Sequence, residues 1–213
     1  MAGRGRLLAL EGIDGCGKST QARALADTLG ARLTREPGAT ELGVRLRELL
    51  LDPGAPAPAP RAEALLMAAD RAEHVARVIG PALEAGEWVV SDRFAGSTVA
   101  YQGYGRGLDP TALLALVGWA TGGLAADLSI LVDVPVEVAA ARLAAGAGGT
   151  ARLDRLERLG PAFAARVREG FLAQAAADPV HWLVVDGEPA VDAIAAHIVA
   201  EVRARFSDTP TRT

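Results

Sequence analysis

The chain has 213 residues, 22 basic and 26 acidic, for a formal charge of -4 and a pI near 5.4, a balance without the basic footprint of a general nucleic-acid binder. Its single cysteine excludes an intramolecular disulfide framework and a Cys-rich zinc site and suits a reducing compartment. No run of about 18 apolar residues is present to span a membrane, and Met1 to Leu10 leads into a strand without a signal-peptide core, so the expectation is a soluble, cytoplasmic protein binding neither nucleic acid nor membrane.

Half of the residues are hydrophobic, but 45 residues are Ala and only nine are aromatic, so the composition favours helix more than it supplies core volume. Of the 22 basic residues 21 are Arg, and the only Lys is Lys18. Lys and Arg exchange freely on solvated surfaces, but not where a compact ammonium on a flexible stem must reach a phosphate oxygen.

In chain order, a strand is expected at Leu7 to Leu10, a helix at Lys18 to Leu29, a strand at Arg32 to Thr34 and a helix at Glu41 to Leu51. The Pro-Ala stretch Pro53 to Pro60 reads as a surface loop, followed by a helix at Ala62 to Ala85 and a strand at Trp88 to Ser91. Then come a helix at Pro110 to Ala120, a strand at Leu128 to Asp133 and helices at Pro135 to Ala145 and Pro161 to Ala177. A strand at Trp182 to Val185 and a helix at Ala190 to Phe206 close the series. Alternating strands and helices with continuous apolar strands imply a mostly parallel sheet covered on both faces. Ala144 to Thr150, rich in Gly, reads as an inert loop or the hinge of a lid, and Ser207 to Thr213 as a polar tail. A single domain over residues 1–206 is expected, with a lid near 144–153 and a flexible tail at 207–213.

Gly12-Ile13-Asp14-Gly15-Cys16-Gly17-Lys18-Ser19 satisfies G-x-x-x-x-G-K-[ST] between a strand and a helix. Backbone N–H groups of such a loop wrap phosphates, the helix N-terminus adds its positive end, the Lys bridges phosphoryl oxygens and Ser19 can ligate Mg²⁺. Gly12 to Thr20 are therefore ATP-binding candidates, and the lone Lys stands where an ammonium is required. Guanine-specific GTPases carry N-K-x-D, which a chain without a second Lys cannot supply. Three polar clusters follow expected strands: Thr34-Arg35-Glu36-Pro37-Gly38, Asp92-Arg93-Phe94 and Ser97 to Gly103. Ligands of open α/β sheets bind at the carboxyl ends of strands, so these clusters converge on one crevice. Catalysis of phosphoryl transfer there means holding two anions in line and neutralising charge, with Lys18, Arg93 and a lid arginine as the cations. Asp92 is placed to hold Mg²⁺ through water or to position Arg93.

EGIDGCGKST, TREPG, AADR, SDRF with STVAYQG, and DRLE after the Gly-rich stretch together resemble the thymidylate kinases, a likeness running from about Leu7 to Val202. The resemblance implies a P-loop nucleoside-monophosphate-kinase fold of three layers with a five-stranded parallel sheet, an activity transferring the γ-phosphoryl of ATP to dTMP with Mg²⁺, and a homodimer. It implies that Arg93 grips the dTMP phosphate, that Arg71 and Thr98 bond the thymine edge, and that Arg35, Pro37, Arg47, Ser97 and Gln102 line the same pocket. Asp14 would hold the deoxyribose 3′-OH, Tyr101 would crowd the 2′ position and Arg142 would lie near the donor nucleotide. Met67 stands where members usually carry an aromatic that stacks on thymine. Gly15 follows Asp14 where some members have Arg; members without it carry the catalytic arginine in the lid, here Arg152. Glu157 joins Ser19 and Asp92 as a metal-ligand candidate.

Other readings stand beside these. Glu11 reads equally as a partner for a loop amide or as part of a Mg²⁺ site. Cys16 reads as a reactive thiol or as filler, Tyr101 as a packed aromatic, Arg155, Glu157 and Arg158 as a solvated helix face, and Trp119 as core or dimer contact. His74, His181 and His197 lack ligand spacing. A kinase for another small acceptor, kept open by Met67, and a nucleotide-binding regulator without transfer are the alternatives in function.

Overall fold

A computed structural model describes residues 4–146 and 153–207. Five strands, β1 (Leu7–Glu11), β2 (Arg32–Arg35), β3 (Val89–Asp92), β4 (Leu128–Asp133) and β5 (Trp182–Asp186), form one sheet in the order β2-β3-β1-β4-β5. All four pairings are parallel. β1 is central and wholly buried. Side chains alternate across its pleat, so Leu8 and Leu10 enter one hydrophobic cluster while Leu7 and Ala9 enter a second on the opposite face. The edge strands differ from the continuous burial expected. In β5 Leu183 and Val185 are buried while Val184 is half exposed, and β2 is mostly exposed, because an edge strand is covered less completely than a central one.

The helices are α1 (Lys18–Leu29), α2 (Glu41–Leu51), α3 (Pro60–His74), α4 (Gly80–Glu84), α5 (Ala95–Thr98), α6 (Pro110–Thr121), α7 (Val136–Gly146), α8 (Pro161–Ala177) and α9 (Val191–Arg205). Several starts have a local cause. Thr40 caps α2 by accepting from Gly43 N at 2.9 Å, Asp109 caps α6, and Pro opens α3, α6 and α8 within the first turn, where its missing N–H costs nothing. The single helix expected at Ala62 to Ala85 is three pieces: α3 passes through a π-helical turn (Val75–Ile79) into α4. Another π-helical segment, Val99–Gly105, continues α5. This stretch was not anticipated as helix, since its two glycines, Val and Tyr disfavour one. π-helical turns gather at functional sites, and this one carries Tyr101 and Gln102, both buried.

The expected lid lies only partly within the described residues: α7 reaches Gly146, and Leu153 to Leu159 form a turn. Arg152, the expected catalytic lid arginine, lies outside them, as do 208–213 of the expected tail. Among the described residues no helix is long and apolar enough to cross a membrane.

Candidate active site

The carboxyl ends of β1, β2 and β3 carry the site. After β1 the chain turns back through Gly12, Gly15 and Gly17, all at positive φ. A Cβ on Gly15 would lie 2.3 Å from Ala139 O, whereas one on Gly17 would meet nothing within 4 Å. The first glycine lets the loop press on α7, and the second keeps the entrance of α1 open. Gly17 also caps α1 without a side-chain bond, so the first amides of the helix are left for an anion.

Gly15, Cys16, Gly17, Lys18, Ser19 and Thr20 line one cleft together with Arg142. Arg142 reaches it from α7 and is held by Gly187 O at 2.9 Å and Cys16 O at 3.3 Å. Cys16 is buried, and burial pushes its thiol up, which favours packing over reactivity. Ile13 lines an adjoining apolar cleft between α7 and α8. Gly12 lies behind the loop, where its carbonyl accepts from Arg93 Nη1 at 2.9 Å.

A second cleft is lined by Asp14, Pro37, Arg47, Met67, Arg71, Arg93, Ser97, Thr98, Tyr101 and Gln102. These are the expected acceptor residues, drawn from the phosphate loop, the end of β2, α2, α3, the end of β3 and the π-helical segment. Arg35 alone does not enter it. It is exposed in a shallow groove beside Ser19, Arg23 and Asp92, while still acting electrostatically on Arg47.

Arg93 is the centre of this cleft. β3 ends at Asp92, and Arg93 takes φ 75°, a left-handed backbone that costs a non-glycine residue of order 1 kcal/mol. The turn swings the guanidinium over the Tyr101 ring at 4.8 Å. Its Nη1 donates to Ser97 Oγ at 3.1 Å, and its Nη2 donates to Asp14 Oδ1 at 2.5 Å and Tyr101 Oη at 2.9 Å. Asp14 also accepts from Tyr101 Oη at 2.8 Å and Lys18 Nζ at 3.1 Å. Burial alone would raise the Asp14 carboxyl, but Arg93, Lys18 and the Tyr101 hydroxyl outweigh it and hold the group well below the usual carboxylate range. Asp14 therefore stays ionised between the two cations.

Glu11, fully buried, accepts from Phe94 N at 3.0 Å, Ser97 N at 3.2 Å and Ser97 Oγ at 2.6 Å. It is the partner of backbone amides, those at the start of α5. Ser19 Oγ donates to Asp92 Oδ2 at 2.5 Å, and the buried Asp92 Oδ1 has no partner. A hydroxyl beside a carboxylate with a spare buried oxygen, next to a phosphate loop, fits a hard divalent cation held through oxygen and water.

DRLE is a capping box rather than part of a solvated helix face. Asp154 Oδ1 accepts from Glu157 N at 2.9 Å, and Glu157 Oε2 accepts from Asp154 N at 2.7 Å. Glu157, expected as a metal ligand, thus has one oxygen committed to backbone, although it faces the cleft of Lys18 and Ser19. Arg155 is buried and donates to Leu49 O at 2.8 Å and Asp52 O at 3.0 Å, tying this turn to the end of α2. Trp119, 84% exposed, is not core.

Four acids at or behind the cleft had no role foreseen, of which Glu36, Asp70 and Glu63 are buried and Asp154 is half-buried. Glu36 holds Arg71, Asp70 accepts from Gly38 N at 3.0 Å, and Glu63 accepts from Gln102 Nε2 at 3.0 Å and from Arg106. Asp154 faces Arg47 from the turn after α7. Glu36, Asp70 and Asp154 stand inside the TREPG, AADR and DRLE motifs, which was the available signal; nothing in the sequence marks Glu63.

A five-stranded parallel sheet with a phosphate loop after its central strand and an Arg-lined cleft beside it defines a P-loop phosphotransferase of the nucleoside-monophosphate-kinase type. Residues 10–198 match the family model described as Thymidylate kinase. The chain is 53% identical over 194 residues to the thymidylate kinase of Synechococcus sp. (strain RCC307), covering 86% of this chain and 88% of that one. It is 46% identical over 213 residues to that of Desulforudis audaxviator (strain MP104C), covering 97% and 94%. The crystal structure of thymidylate kinase from Ehrlichia chaffeensis aligns with a TM-score of 0.77 at 29% identity, covering 94% of this chain and 99% of that one. The chain belongs to the thymidylate kinase family.

Proposed function

We propose that this chain transfers the γ-phosphoryl group of ATP to dTMP, giving dTDP, with Lys18 and Arg142 on the donor side and the cleft around Arg93 taking the acceptor. The observation that carries the reading is the meeting of the two clefts at Asp14, whose carboxylate accepts from both Lys18 and Arg93. A donor anion at the loop and an acceptor anion at Arg93 are then neighbours, which is the arrangement in-line transfer needs.

The acceptor is already a phosphate oxygen, so no general base is required, and catalysis is positioning and charge neutralisation. Lys18 reaches donor phosphate oxygens, and the open amides at the start of α1 face the same anion. Arg93 is held rigid by Gly12, Ser97, Asp14 and Tyr101, so little reorganisation remains when the acceptor phosphate arrives. Arg71 and Thr98 read the base edge, Asp14 meets the sugar 3′-OH, and Tyr101 fills the space a 2′-OH would need. Pro37, Arg47, Ser97 and Gln102 complete the acceptor cleft, Met67 packs on the base, and Arg35, a like charge outside the cleft, adds to the positive potential around Arg47. Ser19 and Asp92 would hold Mg²⁺, which when bound supplies charge neutralisation at the phosphates. Arg152, outside the described residues, is the proposed catalytic arginine for the donor, and Glu157 lines the donor cleft.

Neighbouring helices α2, α3 and α6 expose Leu49, Leu65, Leu114 and Trp119, which supports a homodimer; light scattering that returns a monomer mass would contradict this. The protein is proposed to work in the cytoplasm. A coupled assay of purified protein tests the activity: ADP should form only when ATP, Mg²⁺ and dTMP are all present. Nucleotide binding without ADP formation would instead identify a regulator.

A further inference from the structure

A buried line of polar side chains runs back from the acceptor cleft, and its far end has no part in phosphoryl transfer. Thr34 and Glu36 are two residues apart at the end of β2, where Glu36 N still bonds Asp92 O at 3.0 Å, so their side chains share one face. Arg71 and His74 are three apart on α3 and likewise share a face. The two pairs interlock. His74 Nδ1 lies 2.9 Å from Glu36 Oε1, and His74 Nε2 lies 2.7 Å from Thr34 Oγ1. Arg71 Nε donates to Glu36 Oε2 at 2.8 Å, while Nη1 and Nη2 donate to Thr98 Oγ1 at 2.6 Å and Phe94 O at 2.8 Å. His74 is 0% exposed, Thr98 2%, Arg71 3% and Glu36 6%.

The chemistry of each group fixes its part. An ionised carboxylate only accepts, so His74 Nδ1 carries the hydrogen shared with Glu36 Oε1, and in the neutral ring Nε2 takes the Thr34 hydroxyl hydrogen. Glu36 then has both oxygens filled from opposite sides. Arg71 has three of its five N–H groups committed to Glu36, Thr98 and Phe94, and these fix the plane of the guanidinium that lines the cleft.

We propose that His74 is a positioning residue for recognition of the acceptor base: by occupying Glu36 Oε1 it holds the carboxylate that orients Arg71. This rests on the reading of the cleft as the dTMP site and of Arg71 as its base reader. Without the Nδ1 hydrogen, a buried carboxylate oxygen loses its donor. The Glu36 side chain then turns toward another one, and the Nε anchor of Arg71 is lost with it. The bond this line makes toward the donor side, from Glu36 N to Asp92 O, is backbone to backbone and does not involve the His74 ring, so the effect of losing the ring falls on the acceptor.

Steady-state kinetics with dTMP and dCMP, at saturating ATP and well below the melting temperature of each variant, test the role. His74→Phe should raise KM for dTMP by roughly tenfold or more, leave kcat within about twofold and KM for ATP unchanged, and narrow the preference for dTMP over dCMP. His74→Asn, whose amide nitrogen falls near the place of Nδ1, should recover most of the loss. His74→Gln, whose nitrogen falls near Nε2, should not. A Phe variant with wild-type KM for dTMP, or Asn and Gln variants equally impaired, overturns the proposal; the Asn and Gln pair decides it even if the Phe variant does not fold. A wild-type protein that prefers another monophosphate would refute the dTMP reading separately, and the same pair assayed on that substrate would still decide the part played by His74.

Discussion

Ser97 Oγ donates to Glu11 Oε2 at 2.6 Å and receives Arg93 Nη1 at 3.1 Å, so the last residue of the central strand is connected to the main cation of the acceptor cleft through one hydroxyl. Burial raises the Glu11 carboxyl to about 7 from its ordinary 4.5, against the opposing pull of Ser97, Arg93 and the Phe94 amide. Between those two values the folded protein keeps a proton that the unfolded chain has released. The stability this group contributes is therefore full below pH 4.5 and lost as pH rises through about 7. Glu11→Gln keeps the neutral form at every pH. Melting curves from pH 5 to 8 should show the wild type losing about 1–3 kcal/mol relative to the variant; parallel curves would mean that Glu11 is ionised throughout.

Lys18 and Arg93 share Asp14 Oδ1, and the proposed function gives them different substrates. Lys18→Ala should lower kcat by roughly 10²–10⁴-fold while dTMP still binds, as titration calorimetry would report. Arg93→Ala should abolish dTMP binding and leave ATP binding in place. Equal loss of both ligands in either variant would contradict the division of the site.

Much of this was legible because it is local. The phosphate loop, with Lys18 at its end, is a contiguous string whose chemistry dictates its spacing, and the buried strands β1, β3 and β4 are apolar runs of strand length. Of the Arg residues lining the cleft, Arg93 follows a strand and Arg71 stands in a motif, whereas Arg47, inside α2, was reached only through the family resemblance. What escaped depends on distant partners. Glu36 meets Arg71 and His74 across 35 and 38 residues, and Glu63 meets Arg106 across 43, separations that no periodicity reports. The buried role of Arg155 escaped for a related reason. Its spacing from Arg158 suits a solvated helix, whereas the chain there makes a capped turn that delivers the guanidinium to the carbonyls of α2.

Tyr101 stands over Arg93 and donates to Asp14 Oδ2 at 2.8 Å. Tyr101→Ala removes the ring and should reduce the preference for dTMP over ribothymidine monophosphate by roughly tenfold or more. Tyr101→Phe keeps the ring and should keep that preference while raising KM for both. An unchanged kcat/KM ratio in the Ala variant would assign the ring to packing alone, against Phe163 and Phe171.

Met67 lines the cleft around Arg93 and is only partly buried, and in the proposed function it packs on the base. Met67→Phe should add about 0.5–1.5 kcal/mol of ring contact, seen as a lower KM for dTMP at similar kcat. A higher KM would mean that the thioether already fits the base better than a ring does.

The central claim is that Arg71, Thr98 and Tyr101 select one acceptor. Purified protein with ATP and Mg²⁺, assayed for ADP release against dTMP, dUMP, dCMP, UMP, CMP and AMP, tests it in one experiment. The highest kcat/KM is expected for dTMP, with dUMP next because it lacks only the methyl group, and with the ribonucleotides and AMP far below. Turnover of UMP, CMP or AMP as fast as that of dTMP would contradict the account.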